Sequence, residues 1–311
     1  MAKVLFQTRT SVTGAMLTVS EEDGIRTLFL DDLCQSDVHV RDDGLLDCAQ
    51  PLELVQVMSL FASSWCTGDA PRVLLLGLGG GSIARVLRSA LPRLGRLHSV
   101  ELEPEVITAA TQFFGLELDE THCTVEAAEC SNFLKQEHTK LRKKCASRQN
   151  GNDVILLDAF TSQGLAPSVR EQATLDHARG CLSPTGLLLV NLHTGPPSDP
   201  DDPDYYIARA VLRSLCARFE SVYSILCNTT QNLIAVCHDG SFLDSDEWQS
   251  RLAAQLQIPE IRAALVSFDL GCMMNRFEFV GGIEQPMSED DGEDVPPGFR
   301  AITASLSGGR V

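Results

Sequence analysis

The stretch VLLLGLGGGSIARVL, from Val73 to Leu87, decides the fold. An aliphatic run is followed by four glycines within five positions, and then by apolar residues at helical spacing. The four glycines are Gly77, Gly79, Gly80 and Gly81. Glycine permits positive φ and a close approach of a ligand to the backbone, so the pattern predicts a strand, an adenosine-binding turn and a helix. Alone, it fits nicotinamide, flavin and adenosylmethionine ligands, and also a tight turn without a ligand.

The rest of the chain extends this pattern in both directions. Five strand patterns alternate with helical ones up to GLLLVNLH at His193, and SVYSILC and NLIAVCH then predict an antiparallel hairpin. Such alternation predicts an α/β doubly wound sheet with its ligand at the carboxyl ends of the strands. We expect three parts: a β-hairpin domain at 1–50 with a turn at Asp23-Gly24, the main domain at 51–245, and a C-terminal helix with an acidic, mobile extension at 246–311.

Composition excludes several classes of protein. The 311 residues are 44% apolar and carry a formal net charge of −17, which argues against nucleic acid as the main partner. The eleven cysteines form no C-x-x-C pair, so we expect reduced, buried thiols and neither disulfides nor a metal site. With no signal peptide and no apolar run of membrane-spanning length, the expected location is the cytoplasm.

Acidic residues stand at or just after the ends of the next three predicted strands. Glu101 ends the second strand, 24 positions after Gly77, where a carboxylate can bind both ribose hydroxyls. Glu103 could share that role or begin the next helix. Glu129 follows the third strand and could bind an adenine amino group or start a helix. Asp158 follows four aliphatic residues, and a carboxylate so placed needs a partner.

The acids discriminate among adenosyl ligands. Adenosylmethionine has no phosphates and carries a sulfonium and an ammonium group, so carboxylates suit it. A pyrophosphate would be repelled by the same carboxylates, which argues against a nicotinamide-dependent dehydrogenase.

Taken in order, these motifs resemble the spermidine-synthase-like branch of the class I adenosylmethionine-dependent transferases. The resemblance covers about Thr13 to Asp239 and rests on GIRTLFLDDLCQS, VLLLGLGGGSIARVL, SVELEPEVI, ATQFFGL, AAECSNFL, LLDAFTSQGLAP and LSPTGLLLVNLH. It implies a small N-terminal β domain on a Rossmann-like methyltransferase sheet, a gatekeeping loop after Asp158 and often a homodimer. It also implies one of two chemistries, either aminopropyl transfer from decarboxylated adenosylmethionine to a diamine or methyl transfer from adenosylmethionine.

The resemblance assigns roles to individual residues. Gln35 corresponds to the glutamine that touches the tail of the cofactor, and Glu101 corresponds to the acid that binds the ribose. Glu129 stands where an acid, usually aspartate, lies beside the adenine. Asp158 corresponds to the acid that orients the attacking amine.

The chain departs from the polyamine synthase pattern at three places. The second aspartate of the motif is replaced by Thr161, and the tyrosine of the preceding helix by Val55. The acid of the glycine loop is missing, and the loop offers Leu78, Gly80 and Ser82 instead. Three other residues could serve the site or have only local partners. His193 could act as a base, and Tyr205 with Tyr206 could form a substrate wall.

These departures order the functional hypotheses. The first is methyl transfer from adenosylmethionine to an amine of a protein or small molecule, because the cofactor residues are intact and the diamine residues are degraded. The second is a polyamine aminopropyltransferase. The third is an inactive binding protein that keeps the fold.

Overall fold

The computed structural model describes residues 2–47, 52–66, 68–91, 93–144, 148–195, 202–227, 230–240, 245–264 and 270–282. Two sheets dominate this part of the chain. A five-stranded antiparallel sheet is formed near the N-terminus, and an eight-stranded mixed sheet forms the main body. A two-stranded hairpin lies beside the ends of the mixed sheet.

The N-terminal sheet follows the chain order. Its strands are β1 (Lys3–Arg9), β2 (Met16–Glu22), β3 (Ile25–Leu30), β4 (Leu33–Val40) and β5 (Leu46–Asp47). Asp23 and Gly24 form the two-residue turn between β2 and β3, and both have positive φ, at 51° and 74°. That is the geometry expected of an Asp-Gly hairpin, so the predicted turn is confirmed.

The mixed sheet contains the predicted alternating units. In chain order the elements are α1 (Glu53–Trp65), β6 (Arg72–Leu76), α2 (Ser82–Ala90), β7 (Arg96–Glu101), α3 (Pro104–Phe113), β8 (Cys123–Ala127), α4 (Cys130–Lys144), β9 (Asn152–Leu157), β10 (Phe160–Thr161), β11 (Gly164–Leu165), α5 (Gln172–Cys181), β12 (Leu182–His193), α6 (Pro203–Cys216), β13 (Ser221–Leu226) and β14 (Asn232–His238). The basic stretch after residue 134 continues α4 as a helix.

Strand order identifies where a ligand can bind. The mixed sheet runs β15-β13-β14-β12-β9-β6-β7-β8, with β15 at Phe277–Gly281, and β8, β7, β6, β9 and β12 are parallel neighbours. From β6 the chain moves first toward β8 and then returns to β9 on the other side. This reversal opens a crevice at the carboxyl ends of β6 and β9. Strands β13 and β14 pair antiparallel, as the sequence predicts, and antiparallel pairs of β14 with β12 and of β15 with β13 are added to them.

Apolar residues fill both faces of the mixed sheet, which explains the near-continuous aliphatic strands. A smaller cluster joins the N-terminal sheet to α3, where Leu17, Val19 and Leu28 pack against Val106 and Phe114.

Glu103 adds a polar connection at this junction. Its buried carboxylate accepts hydrogen bonds from the backbone amides of Val12 and Thr13, at 3.0 and 2.8 Å. Glu103 also stands at the N-terminus of α3, so the helix-start alternative is confirmed, and its carboxylate is engaged at this junction.

The described part of the C-terminal segment packs on the main body. Helices α7 (Ser245–Gln255), α8 (Pro259–Ala264) and α9 (Leu270–Met274) precede β15, which extends the mixed sheet. Trp248 of α7 is fully buried against Phe61 and Trp65. The boundary predicted at residue 246 is therefore not a break in packing. The acidic stretch at 288–298 lies outside the described residues.

Two expectations about environment can be compared with the structure. Seven of the eight described free cysteines are buried, whereas Cys34 is exposed, so the prediction of buried thiols fails at that position. No helix within the described ranges has the length and apolar character needed to cross a membrane.

Candidate functional site

A cavity of about 650 Å³ opens at the carboxyl ends of β6, β7, β9 and β12. Strand β4 and the β10–β11 hairpin complete its wall, and α1 contributes Leu54 and Val55. Four carboxylates are among the described residues that line it, and lysine and arginine are absent from that lining. The four are Asp37, Glu101, Asp158 and Asp204. The cavity is therefore suited to a cationic ligand.

The glycine loop forms one wall of the cavity by close backbone packing. Gly77 and Gly79 line it, with φ of 94° and 52°. A Cβ atom added to Gly77 would lie 2.1 Å from the carbonyl oxygen of Asp158, so no side chain fits there. Gly80 and Gly81 lie behind the lining, where a Cβ would meet Ser36 and Leu116 respectively. Two of the glycines thus serve the cavity and two serve packing.

Glu101 fixes the conformation of that loop. One carboxylate oxygen accepts a hydrogen bond from the Leu78 amide at 2.9 Å, and the other accepts one from the Glu103 amide at 3.1 Å. Burial raises the pKa of the Glu101 carboxyl, and these backbone hydrogen bonds oppose the rise. The residue lies at the end of β7 and lines the cavity, where an acid can accept hydrogen bonds from a ribose.

Asp158 lines the cavity just beyond the end of β9. Its backbone amide donates to Leu76 and continues the pairing of β9 with β6 beyond the last strand residue. The Asn191 amide donates to its carboxylate at 2.7 Å, and Asn232 donates to Asn191 at 2.9 Å. Burial and the nearby charge of Glu101 raise the pKa of Asp158 to about 6, although the Asn191 hydrogen bond acts against them. This carboxylate therefore gains from a cation placed beside it.

The other two predicted cofactor contacts lie in different settings. Gln35 lines the cavity from β4, and its backbone oxygen lies close to Gly79. Glu129 is absent from the described lining and accepts a hydrogen bond from the Asn132 amide at 2.9 Å, so it caps α4. Although burial acts in the opposite direction, hydrogen bonds from Ser131 and Ser168 lower the pKa of Glu129 to about 2. The adenine contact of Glu129 stays a prediction.

The three departures from the polyamine synthase pattern also have definite positions. Val55 and Ser82 line the cavity, and the hydroxyl of Ser82 accepts a hydrogen bond from Arg85 at 3.0 Å. Thr161 is absent from the lining, and its hydroxyl donates to the carbonyl of Gly164 within the β10–β11 hairpin. Thr161 is thus engaged in the turn.

Two residues that sequence patterns did not single out contribute carboxylates to the cavity. Asp37 projects from β4, and burial raises the pKa of its carboxyl. Asp204 lies in the first turn of α6 and is hydrogen-bonded to His193 Nδ1 at 2.8 Å. No local motif marks either residue, because each reaches the cavity through the placement of its whole element.

Of the three residues with open roles, His193 alone lines the cavity. Tyr205 packs against the core on the α6 side of the mixed sheet, and Tyr206 is 54% exposed. The described cavity wall contains neither tyrosine, so the substrate-wall interpretation stays a prediction.

Comparisons with known proteins agree with this architecture. No family model matches the chain. It is 30% identical over 181 residues to a polyamine aminopropyltransferase of Neisseria meningitidis, a match that covers 57% of this chain and 61% of the relative. It is 27% identical over 158 residues to the eEF1A lysine and N-terminal methyltransferase of Bos taurus, covering 49% of this chain and 22% of the relative. The chain thus spans about three fifths of the aminopropyltransferase.

Solved structures show the same fold over more of the chain. A probable spermidine synthase from Corynebacterium glutamicum superposes with a TM-score of 0.62 at 14% identity, covering 95% of this chain and 99% of that one. Human methyltransferase-like protein 13, solved in complex with SAH, gives a TM-score of 0.55 at 22% identity, covering 67% and 90%.

The molecule thus has an α/β fold that it shares with solved spermidine synthase and methyltransferase structures. More narrowly, it has the spermidine-synthase-like fold, and its relatives include both aminopropyltransferases and methyltransferases.

Proposed function

We propose that the chain transfers an alkyl group from an adenosyl sulfonium donor to an amine, and that this group is the aminopropyl group of decarboxylated adenosylmethionine. One observation carries the proposal: the described cavity lining has four carboxylates and neither lysine nor arginine. Decarboxylated adenosylmethionine and a polyamine bear only positive charges near neutral pH, whereas adenosylmethionine also bears a carboxylate that these acids would repel. The similarity to polyamine aminopropyltransferases supports the same choice.

This proposal ranks aminopropyl transfer above methyl transfer, whereas the motifs alone favour methyl transfer. The motifs lack the acid at Thr161 and the acid of the glycine loop, which weakens the case for a diamine. Asp37 and Asp204 line the cavity from other elements and supply negative charge that those motifs do not contain. The missing acids therefore do not leave the acceptor region without charge.

The residues have distinct roles in the proposed reaction. Glu101 accepts hydrogen bonds from the ribose, and Gln35 lies beside the tail of the donor. Asp158, positioned by Asn191, orients the acceptor nitrogen toward the carbon next to the sulfonium. The nitrogen forms a bond to that carbon while the carbon–sulfur bond breaks, leaving a neutral thioether. The protein's main contributions are positioning and a fixed negative field.

Methyl transfer from adenosylmethionine is the second candidate. Val55 lines the cavity where the resemblance leads us to expect a tyrosine that holds the diamine, and this favours a different acceptor. Similarity to the eEF1A methyltransferases favours the amine of a protein as that acceptor.

A paired calorimetric titration with the two donors tests the proposal. We expect decarboxylated adenosylmethionine to bind at least about tenfold more tightly, equivalent to about 1.4 kcal/mol. The matched control is Glu101→Gln, which should weaken both donors and so show that binding occurs in the cavity. Mass spectrometry of reactions with putrescine or spermidine then detects the aminopropyl product. Tighter binding of adenosylmethionine would favour methyl transfer, and no binding of either donor would refute the proposal.

A further inference from the structure

We propose that His193, held by Asp204, is the general base that removes a proton from the acceptor ammonium. The inference rests on the proposed function, because it requires an amine acceptor, but it applies equally to aminopropyl and methyl transfer. It assigns a catalytic role to His193 and a positioning role to Asp204.

The hydrogen bond between the two side chains determines which imidazole nitrogen is available. His193 Nδ1 lies 2.8 Å from Asp204 Oδ2. A carboxylate can only accept a hydrogen bond, so Nδ1 carries the proton when the ring is neutral, and Nε2 then has a free lone pair. A carboxylate paired in this way also stabilises the imidazolium that forms when Nε2 takes a proton.

The strand places His193 beside the reacting groups. Asn191 and His193 are two residues apart on β12, so their side chains share one face of the strand about 7 Å apart. Asn191 donates to Asp158 on that face, and both His193 and Asp158 line the cavity. His193 therefore lies within reach of an amine that Asp158 orients.

The start of α6 fixes the position of Asp204. The carboxylate of Asp202 accepts a hydrogen bond from the Asp204 amide at 2.8 Å, and Pro203 occupies the first turn. Gly195 lies so close that an added Cβ would meet the carboxyl carbon of Asp202 at 2.5 Å. The His193–Asp204 pair, here called the dyad, is thus held from both sides. Strand β12 holds His193, and the N-terminus of α6 holds Asp204.

The reaction requires a base because aliphatic amines are protonated near neutral pH. The proton passes from the acceptor ammonium to His193 Nε2, which frees the nitrogen lone pair for attack on carbon. The carbon–sulfur electron pair goes to sulfur, and the imidazolium then returns its proton to solvent. Asp158 binds and orients the acceptor ammonium, while His193 takes the proton.

Two variants and a matched control test the role of the base. In His193→Gln, kcat at pH 7.5 should fall about 100- to 1,000-fold, the range of general-base catalysis, while donor affinity is unchanged. In Asp204→Asn, kcat should fall by a smaller factor. His122→Gln, a change at an exposed histidine outside the cavity, should leave kcat unchanged.

The pH profile separates a base from a structural residue. As pH rises from 7.5 to 9.5, the fraction of free amine rises about tenfold per unit, so the deficit of His193→Gln should shrink to below about tenfold. The other titratable groups in the cavity are Cys34 and Asp37 from β4, Glu101 from β7 and Asp158 from the end of β9. They are present in both proteins, so they affect the two rates alike. Full activity of His193→Gln, or a deficit independent of pH, would overturn the inference.

An NMR measurement on the ¹⁵N-histidine-labelled protein tests the dyad without turnover. We expect neutral His193 to be protonated on Nδ1, and Asp204→Asn to shift the population toward the Nε2-protonated tautomer. A neutral ring protonated on Nε2 in the unsubstituted protein would overturn the inference. Failure of the proposed function would show separately, as absence of donor binding in the unsubstituted protein.

Discussion

Burial should make the charge of Asp158 a source of instability, and removing this charge should stabilise the protein. Its pKa is raised from 3.8 to about 6, mainly by burial, so ionisation costs the folded state about two pKa units. At 1.36 kcal/mol per unit, the cost is about 3 kcal/mol. Asp158→Asn keeps the size of the side chain and can still accept the Asn191 hydrogen bond. We therefore expect its free energy of unfolding to exceed that of the unsubstituted protein by about 3 kcal/mol at pH 8.

The pH dependence of this gain follows from the direction of the shift. A carboxyl whose folded-state pKa lies above its unfolded-state value gives its full contribution to the free energy of unfolding below pH 4, where it is protonated. That contribution is lost as the carboxyl ionises between pH 4 and pH 6. The advantage of Asp158→Asn should accordingly be full at pH 8, smaller at pH 5.5 and absent near pH 4. Urea unfolding without ligand measures it. The exposed Asp246→Asn serves as the matched control and should change stability by less than about 0.5 kcal/mol.

The same variant should show the opposite effect on activity. In the proposed reaction, replacing the carboxylate removes the charge that orients the acceptor amine, so turnover should fall while the apoprotein gains stability. Equal or lower stability of Asp158→Asn at pH 8 would refute the reasoning, because it would mean that burial of this charge costs the fold nothing.

Glu101 and Glu103, which stand two positions apart, should respond differently to replacement by glutamine. Glu101→Gln should weaken donor binding about tenfold or more by calorimetry, because the cavity loses a charge and an acceptor of hydrogen bonds. An unchanged dissociation constant of the donor for Glu101→Gln would contradict this prediction. Glu103→Gln should instead lower the free energy of unfolding by about 2–4 kcal/mol and leave donor affinity nearly unchanged, since its carboxylate binds the Val12 and Thr13 amides. An unchanged free energy of unfolding of Glu103→Gln in urea would show that these two hydrogen bonds contribute little to stability.

Local signals were sufficient to predict most of the fold. The Asp23-Gly24 turn, the aliphatic strands and the amphipathic helices are each determined by neighbouring residues, and the structure confirms them. Strand β1 was not predicted, because it is an edge strand whose residues are exposed or half-buried and so lack a clear alternation. Strand β15 was not predicted, because it pairs with β13 from about fifty positions away.

The residues of the candidate site also fall into two groups, those that local sequence predicts and those that only the tertiary structure brings to the cavity. Glu101 and Asp158 end parallel strands, so their convergence follows from the strand pattern. Asp37 and Asp204 reach the cavity only because the N-terminal sheet and α6 are positioned around it, and no spacing in the sequence encodes that. The hydrogen bond of His193 is equally hidden, because its partner lies eleven positions away on the next helix.

The division of the cavity wall between two kinds of element has an evolutionary consequence. One half is formed by the ends of parallel strands and contributes Glu101, Asp158 and His193, and a substitution there disturbs the central core. The opposite half comes from β4, a short hairpin and the start of one helix, which can diverge with little effect on that core. The residues of this second half can therefore change in a lineage while Glu101, Asp158 and His193 are retained. Similarity of one chain both to a polyamine aminopropyltransferase and to an eEF1A lysine and N-terminal methyltransferase is what a scaffold divided in this way leads us to expect.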